Sequence, residues 1–250
     1  MDYTIAESYT LPSLGKVYDV DVNPNIKMRS MTTQEEMKRL APSERAYKNI
    51  CEIIDDCLVE KPGISSYDMH LGDYQFLLHK MRIVTYGSDY SLTSACPYCA
   101  SINTADINLE DIRVLEYDES IDKYFELDLP KSKKHIKLKM QTPRMLDEIQ
   151  ARAKELKRRS PNFVGDPAFL FSLQLMIDEV DGEKLHPVKL EDFVKSLPMM
   201  DTNYLVQHCQ KITDSIGLDT LLDNTCDACG LDYTSRFRAN SEFFGPTVHI

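Results

Sequence analysis

Two pairs of cysteines constrain this 250-residue chain more than any other feature of its sequence. The first pair is Cys96 and Cys99, within the letters CPYC, and the second is Cys226 and Cys229, within CDAC. A Cys-x-x-Cys turn directs two sulfur atoms toward one point, and four thiolates arranged as a tetrahedron form a common structural zinc site. The spacing therefore predicts that the two pairs share one Zn²⁺, although a long stretch of chain separates them.

The residues that follow each pair favour this interpretation. The letters SINTADI after the first pair and LDYTSRF after the second alternate in the way that strands do. Gly230 stands directly after the second pair, where a metal-binding knuckle often needs a positive φ angle. Ala100 holds that place after the first pair, which weakens the match. We predict a split zinc ribbon, formed by residues 95–110 and 222–237, whose metal is structural because four thiolates leave no open coordination position.

A thiol oxidoreductase centred on Cys96 is the alternative for the first pair. CPYC is also the active-site sequence of glutaredoxins, in which the motif ends a strand and opens a helix whose N-terminus lowers the pKa of the attacking thiol. The residues after Cys99, ASINTADINL, have no helical apolar stripe. The motif also follows three predicted helices instead of lying near the first strand. Both observations favour the metal site over redox chemistry.

Composition limits the other classes of function. Seven cysteines, an odd number, and an N-terminus without a basic or apolar leader predict a protein made in the cytosol with reduced thiols. The longest apolar run, residues 168–177, has about half the length of a membrane span, so we expect no membrane contact. The formal net charge of −11 repels phosphate backbones.

A nucleic-acid-binding zinc-ribbon protein is the second alternative, because one segment is locally basic. The letters KSKKHIKLK contain five lysines that such a protein would use: Lys131, Lys133, Lys134, Lys137 and Lys139. Aromatic and base-reading side chains are not interleaved with them, as they are in many nucleic-acid-binding segments. We therefore expect a solvated hairpin and no nucleic-acid partner.

The apolar periodicity and the helix-capping residues predict an α+β fold. It is a mainly helical domain with a small zinc-ribbon-like β element, a β-hairpin within residues 121–140 and an extended N-terminal arm. Predicted helices are those ending at Leu40, running from Pro42 to Pro62, and spanning Tyr74–Thr85, Pro143–Arg159, Pro167–Asp178, Leu190–Leu197 and Asn203–Ile212. We predict three parts: an arm of residues 1–30, one α+β domain of residues 31–235 closed by the split ribbon, and a tail of residues 236–250.

The arm and the tail carry more apolar side chains than a free segment would. They can pack on their own domain, or the arm can add to a neighbouring protein as an extra strand. The residues that we predict to bind a partner are Tyr9, Leu11, Pro12, Tyr18, Phe243 and Phe244.

No catalytic site is predicted. The sequence contains no GxxxxGK[ST], GxGxxG, HExxH or GxSxG motif. Its six histidines are scattered, and only nine glycines are available for phosphate-binding loops. We expect neither an enzyme nor a small-molecule substrate.

The opening letters YTLPSLGKVY resemble the LPS.GK.Y start of base plate proteins of contractile-tail phages, the hub and hub assembly proteins of the T-even type. The similarity continues in IKMRSMTTQEEMKRL, in RIVTYGSDYSLTSACPYC, in CDACG and in the Phe243-Phe244 pair. The resemblance implies a non-enzymatic structural or assembly protein that contacts other tail and base plate proteins. It also implies a location in the host cytoplasm during assembly, and in the virion for a protein that stays in the particle.

Overall fold

The computed structural model describes residues 5–237 and 241–244 of the chain. The helices in this part are α1 Thr33–Leu40, α2 Ala46–Cys57, α3 Leu71–Tyr86, α4 Pro143–Arg159, α5 Pro167–Met176, α6 Pro187–Ser196 and α7 Met199–Asp214. The strands are β1 Ala6–Thr10, β2 Asn25–Arg29, β3 Leu58–Glu60, β4 Asp89–Ala95, β5 Ile102–Asn108, β6 Val114–Leu115, β7 Glu126–Asp128, β8 His135–Leu138, β9 Ile177–Val180, β10 Gly217–Leu218, β11 Leu221–Thr225 and β12 Asp232–Arg236.

The strands form several small antiparallel sheets instead of one large sheet. Two of them have three strands, in the orders β1-β2-β3 and β7-β8-β9. The pairs β4-β5 and β11-β12 are hairpins, and β6 pairs with the distant β10. The predicted mixture of helices with small β elements is confirmed, as is the predicted hairpin, which is formed by β7 and β8.

Three of the seven helices within the described residues begin at capping residues that the sequence predicts. The Thr32 side chain caps α1, while the carboxylate of Glu35 accepts the Thr32 backbone N–H at 2.7 Å, so the capping box is complete. Thr142 and Asp166 cap α4 and α5, and each is followed by proline at the first helical position. Gly87, with φ 87°, ends α3 as predicted.

Two predicted helices extend too far. The helix predicted to reach Pro62 ends at Cys57, because Leu58–Glu60 pairs with β2 as an edge strand. The helix predicted to reach Asp178 ends at Met176, because the following residues pair with β8. In both places the sheet overrides the helical pattern, as tertiary pairing often does.

Two hydrophobic cores hold these elements. The first joins the β1-β2-β3 sheet to α2 and α3 and includes Phe237, Phe243 and Phe244. The second joins the β7-β8-β9 sheet to α5, α6 and α7, so all of it lies between the two cysteine pairs in sequence. Asp147 fixes α4 to α2, because its carboxylate accepts the backbone N–H groups of Tyr47 and Lys48 at the start of α2.

The LPSLGKVY segment is fixed to α3 by a buried carboxylate. Asp73 accepts the Ser13 backbone N–H at 3.0 Å, the Ser13 hydroxyl at 2.5 Å and the Tyr18 hydroxyl at 2.6 Å. Burial raises the pKa of Asp73, and the hydrogen bonds from Ser13 and Tyr18 oppose that shift. Gly15 turns the chain at φ 72°, where a Cβ would lie 2.3 Å from the carbonyl oxygen of Val22. The motif is therefore held by this chain's own core, while the predicted division into arm, domain and tail stays a prediction.

Candidate metal centre

Each cysteine pair lies in the turn of a β-hairpin. The strands β4 and β5 flank Cys96 and Cys99, and β11 and β12 flank Cys226 and Cys229. The strand that follows each cysteine pair was predicted from the alternating residues there, and both strands are present.

The backbones of the two turns have the same conformation. In each, the first cysteine donates its N–H to the carbonyl five residues later and accepts the N–H four residues later. These distances are 2.9 and 2.9 Å at Cys96, and 3.0 and 2.8 Å at Cys226. The fourth residues, Ala100 and Gly230, both have positive φ, 59° and 70°. The alanine, which weakened the sequence match, thus adopts the backbone conformation that glycine takes in the second turn.

The two turns bring their sulfur atoms together. All four Sγ atoms lie within 4.8 Å of one another. The Sγ atoms of Cys96 and Cys229 are 3.8 Å apart, and those of Cys99 and Cys226 are 3.6 Å apart. A tetrahedral zinc ion with Zn–S bonds of about 2.3 Å requires sulfur separations of about 3.8 Å, whereas a disulfide requires about 2.05 Å. The spacing fits one tetrahedral metal ion and excludes disulfides between these atoms.

Ser101 binds sulfur atoms from both halves. Its Oγ lies 3.1 Å from Cys99 Sγ and 3.1 Å from Cys226 Sγ. Its hydroxyl is the main cause that lowers the pKa of both thiols, that of Cys226 to about 5, and backbone N–H groups add to the effect. At Cys229 the Leu231 backbone N–H lowers the pKa, but burial and the neighbouring thiols outweigh it and raise this pKa to about 12. A cation among the sulfur atoms would offset the mutual repulsion of four thiolates at this spacing.

Polar contacts outside the sulfur cluster also join the two hairpins. Asn103 Oδ1 accepts the Asp227 backbone N–H at 3.0 Å, and the hydroxyls of Ser94 and Tyr233 are 2.8 Å apart. The ring of Tyr233 is buried against Cys96 and Cys226, whereas the other two cysteines are exposed. Ser101, Asn103 and Tyr233 were not predicted to lie at the site, because no local pattern in the sequence relates them to the other hairpin.

One comparison with known proteins gave a match across almost the whole chain. The family model described as T4 bacteriophage base plate protein matches residues 3–245. The chain belongs to this family. The predicted relationship to T4-type base plate proteins is therefore confirmed. Searches of curated proteins and of solved structures found no match.

The base plate protein does not present its CPYC motif as a thiol oxidoreductase does. Cys99 leads into β5, so the residues after the motif form a strand and not the helix that activates the thiol in that class. Cys96, which the redox alternative would use, is only 2% exposed. Within residues 5–237 and 241–244, no helix is long and apolar enough to cross a membrane.

Carboxylates in β9, and directly after it, neutralise part of the basic β7-β8 hairpin. Lys134 pairs with Asp181, Lys137 with Glu179 and Lys139 with Asp178. These ion pairs use three of the five lysines that a nucleic-acid-binding protein would need. They favour the interpretation of a solvated hairpin.

The predicted partner-binding residues lie mainly in the first core. Leu11, Phe243 and Phe244 are at most 5% exposed, and Pro12 is also buried. Tyr9 is half-buried against Phe76, with the ring centroids 6.3 Å apart. Tyr18 is half-buried beside Asp73. Contact with a partner stays a prediction for these six residues, and for the buried ones it requires that the side chain leaves the core.

Proposed function

We propose that this chain is a non-enzymatic structural or assembly component of the hub region of a T4-type base plate, with a fold that one Zn²⁺ closes. Membership of the base plate family supports the structural role. The observation that carries the metal assignment is the convergence of four Sγ atoms within 4.8 Å, from cysteines as far apart as Cys99 and Cys226, which are 127 positions apart.

The donor set favours zinc in a structural role. Thiolate ligands select soft or borderline metals, and Zn²⁺ prefers the tetrahedron that these distances describe. Four protein ligands leave no position for water or substrate, so this ion would activate neither. Its effect would be to hold the β4-β5 hairpin against the β11-β12 hairpin, and so to fix both ends of the segment that contains the second core.

A structural member of the base plate family acts through protein–protein contacts, and we propose other base plate and tail proteins as its partners. We propose the host cytoplasm as the place where it joins them. A hub component remains in the mature tail, whereas an assembly factor leaves, and mass spectrometry of purified virions distinguishes these two outcomes.

Metal analysis of the purified protein tests the zinc proposal. We expect about one zinc per chain in the wild type and almost none in Cys226→Ser, because three thiolates hold zinc less firmly than four. Cys209→Ser is the matched control, since Cys209 is a buried free thiol of the second core and lies outside the cluster. Equal zinc in the wild type and in Cys226→Ser would contradict a shared ion.

A further inference from the structure

The strand β1 is an edge strand that is exposed on both faces. It has a neighbour on one side only, because the sheet order is β1-β2-β3. Four of its five residues are exposed, and Tyr9 is half-buried. Within the described residues, 5–237 and 241–244, no strand pairs with its outer edge.

The register of β1 on β2 determines which of its backbone groups face outward. The carbonyl of Ile5 accepts from the residue after β2, and the N–H of Leu11 donates to the residue before β2, each at 2.8 Å. Hydrogen-bonding direction alternates along a strand, so odd-numbered residues face β2. The N–H and C=O groups of Ala6, Ser8 and Thr10 therefore point away from the sheet.

This outer edge lacks lysine, proline and a β-bulge, three of the features that prevent edge-to-edge pairing. Proteins protect edge strands with lysine, proline or a β-bulge. The letters of β1, AESYT, include neither residue, and its pairing with β2 has no register shift. Its one charged side chain is Glu7, which the Tyr9 hydroxyl binds at 2.5 Å.

We propose that the outer edge of β1 pairs with β1 of a second copy of this chain, about a two-fold axis at Ser8. The antiparallel arrangement places Ser8 opposite Ser8 of the second copy, and Ala6 opposite Thr10 of the second copy. All of these residues have outward backbone groups, so about six hydrogen bonds form between the copies. The two three-stranded sheets then join into one continuous sheet.

The side chains favour this register over the one with its two-fold axis at Glu7. It places Glu7 opposite the uncharged Tyr9 of the second copy, so that no like charges stand opposite each other. Lys80 Nζ lies 5.3 Å from the Tyr9 ring centroid of its own chain. In the proposed dimer this cation is therefore near Glu7 of the other copy. A shift of two residues in one direction would place Glu7 opposite Glu7, and like charges directly opposite destabilise a strand pair. On the other face, Ala6, Ser8 and Thr10 are small and uncharged, so they do not obstruct pairing.

The contact is small, and charge opposes it. A five-residue edge lies at the weak end of protein interfaces, and each copy carries a formal net charge of −11. We expect a dissociation constant on the order of 0.1 mM at about 0.15 M salt, which screens the repulsion. Pairing of this strength becomes important where copies are held near one another in an assembly.

Sedimentation velocity over a wide protein concentration range tests the proposal. Ser8→Pro removes the outward N–H at the axis but leaves the inward bonds to β2, which is where an edge strand tolerates proline. We expect at least a tenfold weaker dimer for Ser8→Pro and an unchanged or stronger dimer for the control Ser8→Thr. Circular dichroism verifies that each variant is folded. Should Ser8→Pro not fold, Ser8→Lys places two lysines opposite each other and should weaken the dimer similarly.

Hydrogen exchange at single amides gives an independent readout. The Ser8 amide should exchange fast in dilute protein and become protected at high concentration, whereas the amides of Glu7 and Tyr9 should be protected throughout. A wild type that stays monomeric, or a dimer that both Ser8 variants leave unchanged, would overturn the proposal. Neither result would affect the zinc measurement, because β1 lies outside the cysteine cluster.

Discussion

Ala100 and Gly230 occupy equivalent positions in the two cysteine turns, and both adopt a left-handed backbone, with φ of 59° and 70°. Each donates its N–H to the carbonyl of the first cysteine of its own pair. The two turns are therefore the same structure with different residues at the strained position. This difference allows the conformational cost of the turn to be measured in one molecule.

The substitutions Ala100→Gly and Gly230→Ala should change the free energy of unfolding in opposite directions. Ala100→Gly removes the left-handed strain of a Cβ but increases the entropy of the unfolded chain, so we expect a net stabilisation of about 0.5 kcal/mol. Gly230→Ala adds the strain without a steric clash, because its Cβ would have nothing within 4 Å, and should cost about 1 kcal/mol. Urea denaturation measures both. A loss of stability in Ala100→Gly would show that the turn is not strained.

Removal of the proposed zinc ion should destabilise the chain as the loss of a long-range cross-link does. A cross-link that closes a loop of 127 residues contributes about 5 kcal/mol by restricting the unfolded chain, and we expect a chelator to reduce the free energy of unfolding by a similar amount. Denaturation with and without chelator measures the change. Cys226→Ser is the control, because it should show no chelator effect. A wild type that is insensitive to chelator would contradict the prediction.

The Tyr18 hydroxyl should contribute to stability through the Asp73 carboxylate. Tyr18→Phe keeps the ring but removes one hydrogen-bond donor from a fully buried carboxyl group, so we expect a cost of about 1–3 kcal/mol. The matched control is Tyr9→Phe, whose hydroxyl binds the exposed Glu7 and should change stability by less than about 0.5 kcal/mol. Thermal denaturation at low protein concentration compares them. Equal effects of the two substitutions would show that the buried network has no special role.

Glu35 should make the chain sensitive to acid. The hydrogen bond from Arg29, with a further contribution from Thr32, lowers the pKa of Glu35 to about 2. Because this folded-state pKa is below the ordinary value of 4.5, the stabilisation is complete above about pH 4.5 and is lost as the pH falls toward 2. We expect Glu35→Gln to be less stable than the wild type by about 3 kcal/mol at neutral pH, and equally stable near pH 2. Glu44→Gln, at an exposed ion pair with Lys154, should show almost no difference at either pH.

Features with a short-range or chemical signal were predicted from the sequence. Thr32 and Glu35 are three positions apart, so a capping box is visible in the letters alone. The cysteine cluster was predictable at much longer range, because a thiolate zinc site needs four ligands and two Cys-x-x-Cys turns supply them. That chemical requirement does not depend on separation in sequence.

Features that depend on tertiary pairing were missed. Ile177 and Asp178 continue the predicted helix, and they belong to β9 only because β8 lies beside them. Asp73 looks like an ordinary first-turn carboxylate, yet it binds Ser13 from 60 positions away. Ser101 gives no sign in sequence of its contact with Cys226. In each case the partner is set by the fold, and the local letters carry no information about it.

The wide separation of the two cysteine hairpins in sequence has a consequence for the order of events on the ribosome. Cys99 and Cys226 are 127 positions apart, so at typical translation speeds the second hairpin emerges on the order of ten seconds after the first. During this interval the whole second core can be synthesised and can begin to fold as a unit. A tetrahedral thiolate site would then be completed only after residue 229 has emerged, so a prematurely terminated chain would lack the closure that a finished one acquires.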